Sequence, residues 1–455
     1  MRNLKAFYIF LGLLVTQGGY TQDSEFYSMG REILGDMVSI ESTEAKGLAT
    51  DVSEYAASVL LENGFKSDDL QVVGATEISK GLYAVYKGSS HEKPAIVMAH
   101  IDVVPAVEES WISDPFTMTE IEGFLHGRGT ADNKGGAAGL IATFIKLRSE
   151  NFVPKNDIIM LLTGDEETGM QSIRYFRESF DDVKKAAFAL NSDGGFITGT
   201  MESPEAFRLQ SAEKVYLSFT LTAENKGGHS SIPRDDNAIY DLVDALKRVE
   251  EYNFPISLNQ TTRATLEFEL KDANQSNAKI ISSILNETGS ELRLLETDPE
   301  MNAMLRTTCV ATKLKGGHAE NALPVSASAT VNCRILPQSD PNDVFKKIKE
   351  LVGDKVSVSP ISDARLSPPS PITDEIIELV SSSINTSFPD LPIVPTMSTG
   401  ATDAIELRSN GIPVYGTSAM MTDPTGFRAH GLDERVEISA FNASLDFWYA
   451  LMKQL

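Results

Sequence analysis

Residues 95–102 read AIVMAHID, an apolar run that ends in a histidine and, two positions on, an aspartate. Lys93 and Pro94 introduce it. Two later stretches share this construction: Asp157 introduces IIMLLTGDEE (158–167), and Lys185 introduces AAFALNSDGG (186–195). A continuous apolar run between helical segments indicates a parallel strand buried on both faces. In an open α/β sheet the ligand site lies beyond the carboxyl ends of such strands. The three strands therefore deliver His100 and Asp102, Glu166 and Glu167, and Asp193 to one edge of a sheet.

Between the first two strands stands GRGTADNKGG, residues 127–136, followed at once by the apolar helical run AAGLIATFIKL (137–147). Its glycines let the backbone turn tightly, which sets Asp132 at a loop-to-helix junction. A phosphate-cradling loop would need G-x-x-x-x-G-K-[ST], but Lys134 follows Asn133 and precedes Gly135. The dinucleotide pattern G-x-G-x-x-G fails as well, because Asp132 occupies the place of its third glycine. Two readings remain for Asp132 from the residues alone: a metal-bridging aspartate or a capped helix start.

The totals set the frame. A chain of 455 residues with 42% hydrophobic and 23% charged residues is ordinary for a soluble protein of two or three domains. Its 40 Lys and Arg against 64 Asp and Glu leave a net charge of −24. Such a surface repels phosphate backbones and anionic membranes, so nucleic acid and membrane partners are not expected beyond the N-terminal segment. That segment, MRNLKAFYIFLGLLVTQGGYTQ (1–22), has a basic start and an apolar run too short for a comfortable membrane span. It reads as a secretory signal, which implies a secreted or periplasmic protein, with an uncleaved anchor as the alternative. Two cysteines, Cys309 and Cys333, exclude a cysteine-based zinc site and a disulfide-dense scaffold. They lie in predicted strands that could be hairpin neighbours, as one bridge or as two buried thiols.

Residues 24–63 carry two predicted helices, with Phe26, Met29, Ile33, Leu34 and Met37 at helical spacing. The texture changes near Ala212. Predicted elements then run strand (215–223), helix (235–249), strands (308–314 and 326–336), helix (343–351) and strand (355–360). That β-α-β-β-α-β order describes a small separate sandwich. An insertion, 252–301, interrupts it, with a helix expected at 278–285 and a strand near 265–270. A proline- and serine-rich linker, 367–372, leads back to a helix at 374–386 and renewed α/β character. The expected division is a signal at 1–22, a catalytic domain at 23–212 and 362–455, and the second domain at 213–361.

Adjacent side chains in extended structure diverge, so Glu166 and Glu167 can serve different tasks, one binding a metal and one facing a bound water. Asp102 can orient His100 only if the chain curls after Ile101. His430, in RAHGLDERVEI, is a loop histidine with little to recommend it alone. Taken together, two histidines and three carboxylates suit a pair of hard or borderline cations sharing a bridging carboxylate.

HIDVVP, GRGTADNKGG, GDEETG, NSDGG, GGHSSIP, NALP and HGLDERVEI occur in this order. The series resembles the dinuclear zinc peptidases and deacylases, a family that includes aminoacylase, acetylornithine deacetylase, succinyl-diaminopimelate desuccinylase, carboxypeptidase G and carboxypeptidase S. The resemblance covers nearly the whole chain after the signal except 252–301. It implies an α/β catalytic domain with a mixed, largely parallel sheet, interrupted by an α+β sandwich lid that commonly dimerises. It also implies two zinc ions, whose ligands cobalt or manganese could equally use. His100 and Asp193 would hold one metal, Glu167 and His430 the other, with Asp132 bridging. Asp102 would support the ligands, and Glu166 would be the general base for a metal-activated water. His229, in GGHSSIP, would stabilise the oxyanion, often from the partner subunit. Arg334 would grip a substrate carboxylate, with Asn321 and Gly400 near the substrate. The implied reaction is hydrolysis of an amide beside a carboxylate, in a small peptide or, alternatively, an N-acyl amino acid. A remote alternative, a metal-free binding module, requires lost ligands, and none is missing. A serine hydrolase fails on GTSAM (416–420), which is not G-x-S-x-G.

Overall fold

The structure, a computed structural model, describes residues 18–286, 298–362, 364–423, 425–426 and 428–455. The signal expected at 1–22 therefore lies mostly outside the described residues. The first helix, Gly18–Ser39, begins before the expected end of that signal.

A ten-stranded mixed sheet forms the larger unit. Near its middle, Ser90–His100 lies between two parallel neighbours, Asn156–Thr163 and Phe188–Asn191. Register pairs His100 with Thr163 and Met98 with Asn191, so all three strands end at the same edge. Alternate residues of the central strand enter opposite cores. Val97 and Ala99 pack with Leu140, Phe144, Phe447 and Trp448 on one side. Ile96 and Met98 pack with Ile159, Leu161, Ile173 and Phe176 on the other. Burial on both faces is why the strand's second half, residues 95–99, is apolar throughout rather than alternating. Each such side chain contributes roughly 1.5–3 kcal/mol when fully buried.

The smaller unit is a four-stranded antiparallel sheet in the order Thr308–Gly316, Ser326–Ile335, Val215–Glu224, Val356–Pro360. Two helices, Ala238–Glu251 and Pro341–Val352, share its core with Val215, Leu217, Phe219 and Leu221. Cys309 and Cys333 face each other across neighbouring strands and form a disulfide.

The insertion is helical where it is described. Helices Gln260–Glu269, Gln275–Leu285 and Pro299–Leu305 close over a small core of Leu266, Ile281, Ile284 and Leu305. The strand expected near 265–270 is therefore corrected to helix. Asn259 caps it through a reciprocal box with Thr262, and Thr265 donates to the carbonyls of Thr261 and Pro395. Local capping and contact with the large sheet override the β preference of the threonines. The return segment is no loose tether either. Ser370 is buried, donates to the Val414 carbonyl at 2.7 Å and accepts from the Val414 N–H at 2.9 Å.

Candidate active site

The carboxyl ends of the three central strands carry the cluster. His100 is 2% exposed. Its Nε2 lies 2.8 Å from Asp132 Oδ1 and 3.9 Å from Asp193 Oδ2. The other oxygen of Asp132, Oδ2, lies 3.2 Å from His430 Nε2, and that same nitrogen is 2.8 Å from Glu167 Oε1. Asp132 thus presents one oxygen to each histidine. Glu166 groups with His100 and Asp193, whereas Glu167 groups with His100 and Asp132, so the two neighbouring glutamates face different parts of the cluster.

The chain does curl after Ile101. The Nδ1 of His100 donates to the backbone carbonyl of Asp102 at 3.1 Å, which fixes the ring with Nε2 toward the cluster. The carboxylate of Asp102 accepts the backbone N–H groups of Glu166 (3.1 Å) and Glu167 (3.0 Å). One aspartate therefore positions both the histidine and the two glutamates. His430 adopts φ 63°, a conformation few non-glycine residues take, and is the one half-exposed member of the cluster.

Three buried residues beyond the expected set hold the loops. Glu434 Oε1 accepts the N–H groups of Gly129, Ala131 and Asp132, each at 3.0 Å, while Oε2 pairs with Arg128 at 2.5 Å. Asn133 donates from Nδ2 to the Ser192 carbonyl at 3.0 Å and accepts from Ser192 Oγ at 2.5 Å, tying the Asp132 loop to the Asp193 loop. A Cβ at Gly136 would come within 2.3 Å of Ser192 Oγ, so glycine is what lets these loops touch. Asp403 accepts from Thr163 Oγ1 and lies buried behind the cluster. Glu434 stands inside HGLDERVEI, and Asp403 three residues after Gly400. Neither was found, because Glu434 works by holding backbone amides and Asp403 by accepting from the Thr163 hydroxyl, and such partners far along the chain leave no spacing signature.

The electrostatics follow from crowded carboxylates out of water. Burial pushes Asp193 up to about 7 and Glu166 well above the ordinary glutamate value, each helped by neighbouring acids against the pull of His100. Burial opposes charge on His100, but its bonds to Asp102 and Asp132 outweigh that and raise it well above its usual value. Bonds to Asp132 and Glu167 raise His430 to about 10. Desolvation works against ionised Asp132, yet the two histidines hold its carboxyl far below the normal range.

The remaining expected residues stand apart from this cluster. Gly400 donates its N–H to Ser398 Oγ, and Thr402, two residues on, contacts Asn191, whose side chain accepts the Asp193 N–H. His229 and Asn321 are brought together by the short ladder of Gly228–His229 with Ala322–Leu323. His229 is exposed and its ring meets only Ser231 among the described residues. Arg334 lies over the Tyr216 ring at 4.7 Å.

The donor set fits divalent cations. Ligand atoms bound at about 2.0–2.1 Å in a tetrahedron stand roughly 3.3 Å apart. The observed separations of 2.8–3.9 Å bracket that spacing, and two imidazoles with carboxylates suit zinc and its neighbours.

Fold and site together define a metal-dependent hydrolase of peptide or other linear amide bonds. The chain belongs to Peptidase family M20/M25/M40, whose profile matches residues 96–454. Among curated relatives it is 30% identical to the human N-fatty-acyl-amino acid synthase/hydrolase PM20D1, over 82% of this chain and 76% of that protein. It is 28% identical to a probable carboxypeptidase S-like 2 of Dictyostelium discoideum, over 79% and 71%. Among solved structures, the M20 metallo-carboxypeptidase Sso-CP2 of Sulfolobus solfataricus superposes with a TM-score of 0.69 at 18% identity, covering 93% of this chain and 98% of that one. Human carnosine dipeptidase 1 superposes with a TM-score of 0.67 at 16% identity, covering 96% and 99%. These two likenesses bear on the fold, a catalytic unit joined to a smaller lid.

Proposed function

We propose that the protein is a secreted or periplasmic dinuclear metallohydrolase, of carboxypeptidase or dipeptidase type, that cleaves an amide bond next to a substrate carboxylate. The observation that carries this reading is the meeting of two histidines on the two oxygens of Asp132, with Glu166 alongside. His100 and Asp193 would hold one cation, Glu167 and His430 the other, and Asp132 both. Zinc is the expected metal, with cobalt or manganese able to use the same donors. The bound pair would acidify a water and polarise the amide carbonyl.

The chain's own residues do the rest. Glu166, raised by burial toward the working range of a general base, accepts a proton from the attacking water. It returns that proton to the departing nitrogen. His229 of a second subunit, paired through the lid, donates to the developing oxyanion. Arg334 takes the substrate carboxylate, for which its planar fork is suited. Asn321 and Gly400 line the approach. The disulfide between Cys309 and Cys333 supports an oxidising compartment and hence export.

Glu166→Ala tests the core of this reading. Metal content should stay near two per chain while turnover falls by about two to four orders of magnitude. Unchanged turnover would remove Glu166 from the role. A second reading, an N-acyl amino acid deacylase, is favoured by the human relative, an N-fatty-acyl-amino acid synthase/hydrolase. Comparing kcat/KM for dipeptides and N-acyl amino acids decides between the two.

A further inference from the structure

Lys214 stands where the large sheet hands over to the lid, between strands Ser203–Glu213 and Val215–Glu224. It is 0% exposed. Its backbone N–H donates to the Ser398 carbonyl at 3.1 Å, at the start of the loop that leads through Gly400 to Thr402. Its ammonium makes one hydrogen bond among the described residues, to Thr308 Oγ1 at 3.4 Å. The adjacent acid is engaged elsewhere: Glu213 pairs with Arg408 at 3.0 Å and accepts from Thr402.

The lid register explains what lies next to Lys214. Side chains two apart share a face of a strand, so Lys214, Tyr216 and Ser218 point away from the face that Val215, Leu217 and Phe219 bury under the helices. Tyr216 pairs with Arg334, and Arg334 pairs with Thr308, so these side chains form one transverse row. By reaching Thr308, Lys214 brings its charge beside Arg334. Among the described residues, no carboxylate stands within ion-pair distance of either cation. Burial, with the Arg334 charge adding to it, holds the Lys214 ammonium down to about 8. Lys214 is buried and Arg334 half-buried; an unpaired charge taken out of water is costly to a fold, and such a pair persists where an anionic ligand completes it.

We propose that Lys214 and Arg334 form a two-cation clamp for the substrate carboxylate, with Thr308 as an added donor and Lys214 as a specificity-determining residue. This rests on the reading above that the scissile amide lies beside a carboxylate. Its ligand class is the free α-carboxylate of a dipeptide or N-acyl amino acid. The corresponding carboxamide offers no charge and should be rejected.

The test compares steady-state hydrolysis of one dipeptide and its C-terminal amide by the full-length, metal-loaded enzyme. The parent should prefer the free acid. Lys214→Met, a neutral side chain of similar length, should raise KM for the acid about tenfold or more, with kcat and the amide kinetics little changed. Lys214→Arg should keep most of the preference. Because the substitution removes an unpaired buried charge, the Lys214→Met protein should melt no lower than the parent. A preference that survives in Lys214→Met overturns the clamp. So does a Lys214→Met protein that fails to fold, since the lysine would then serve the fold rather than the ligand. A parent enzyme that cleaves amides without preferring the acid removes the underlying carboxylate reading itself, whatever the variant does.

Discussion

Glu434, fully buried, holds three backbone N–H groups of the Asp132 loop, those of Gly129, Ala131 and Asp132. Groups of this kind orient metal ligands, and their loss typically weakens metal binding about ten- to hundredfold. Glu434→Gln keeps the shape and loses the charge, so competition against a chelating dye should show weakening of that order. Equal affinity would make the contact merely structural. The histidines permit a second expectation. His430 titrates near 10 in the metal-free protein, and His100 is likewise raised, so both carry protons at neutral pH that loading must displace. Calorimetric metal titrations in buffers of different ionisation enthalpy should register proton release, and metal affinity should rise with pH. For the metal-free fold the sign is opposite. His430 is raised above its unfolded value, so its contribution to stability is full below about 6.5 and is lost as pH rises through about 10. At this scale the sequence exposed His100, Asp132, Glu166, Glu167 and Asp193, because each follows an apolar strand or sits in a glycine turn, whereas His430 was legible only through the family resemblance. It concealed Glu434, Asp403 and Lys214, whose meaning depends on partners far along the chain.

Elements were legible in proportion to how much of their own environment they encode. Residues 95–99 of the strand Ser90–His100 are apolar on both faces because both faces are covered there, and that pattern needs no knowledge of the partners. The helix Gln260–Glu269 is the converse case. A strand was expected near 265–270, but Thr261, Thr262, Thr265 and Leu266 bury one helical stripe against the large sheet and the insertion core. Only the cap at Asn259 was written locally. The bridge between Cys309 and Cys333 was likewise undecided in sequence, because hairpin register was not known. Closing a loop of 24 residues should stabilise the lid by about 3 kcal/mol. Calorimetry with and without reductant should show a lowered melting transition, and an unshifted one would contradict this.

At the scale of the whole molecule, the exposed His229 is the residue that one chain leaves without a task. If lids pair two subunits and each lends this histidine to the other site, two inactive proteins should complement. Mixing Glu166→Ala with His229→Ala under conditions that exchange subunits should restore up to about a quarter to a half of the activity expected for full sites, since hybrid dimers hold one intact site. No recovery despite proven exchange would place His229 outside catalysis in trans. The net charge of −24 suits this arrangement only in part, because carboxylates that gather cations also repel a substrate carboxylate. In the clamp proposed above, Arg334 and Lys214 at the boundary between the two units would answer that repulsion locally.

The central claim is that five side chains from distant parts of the chain hold two cations astride Asp132. Anomalous diffraction at the metal absorption edge, from crystals of the metal-loaded protein, addresses it directly. The expected result is two peaks roughly 3.5–4 Å apart, one beside His100 and Asp193 and one beside Glu167 and His430, with Asp132 between them. A single peak, or two peaks that do not share Asp132, would contradict it.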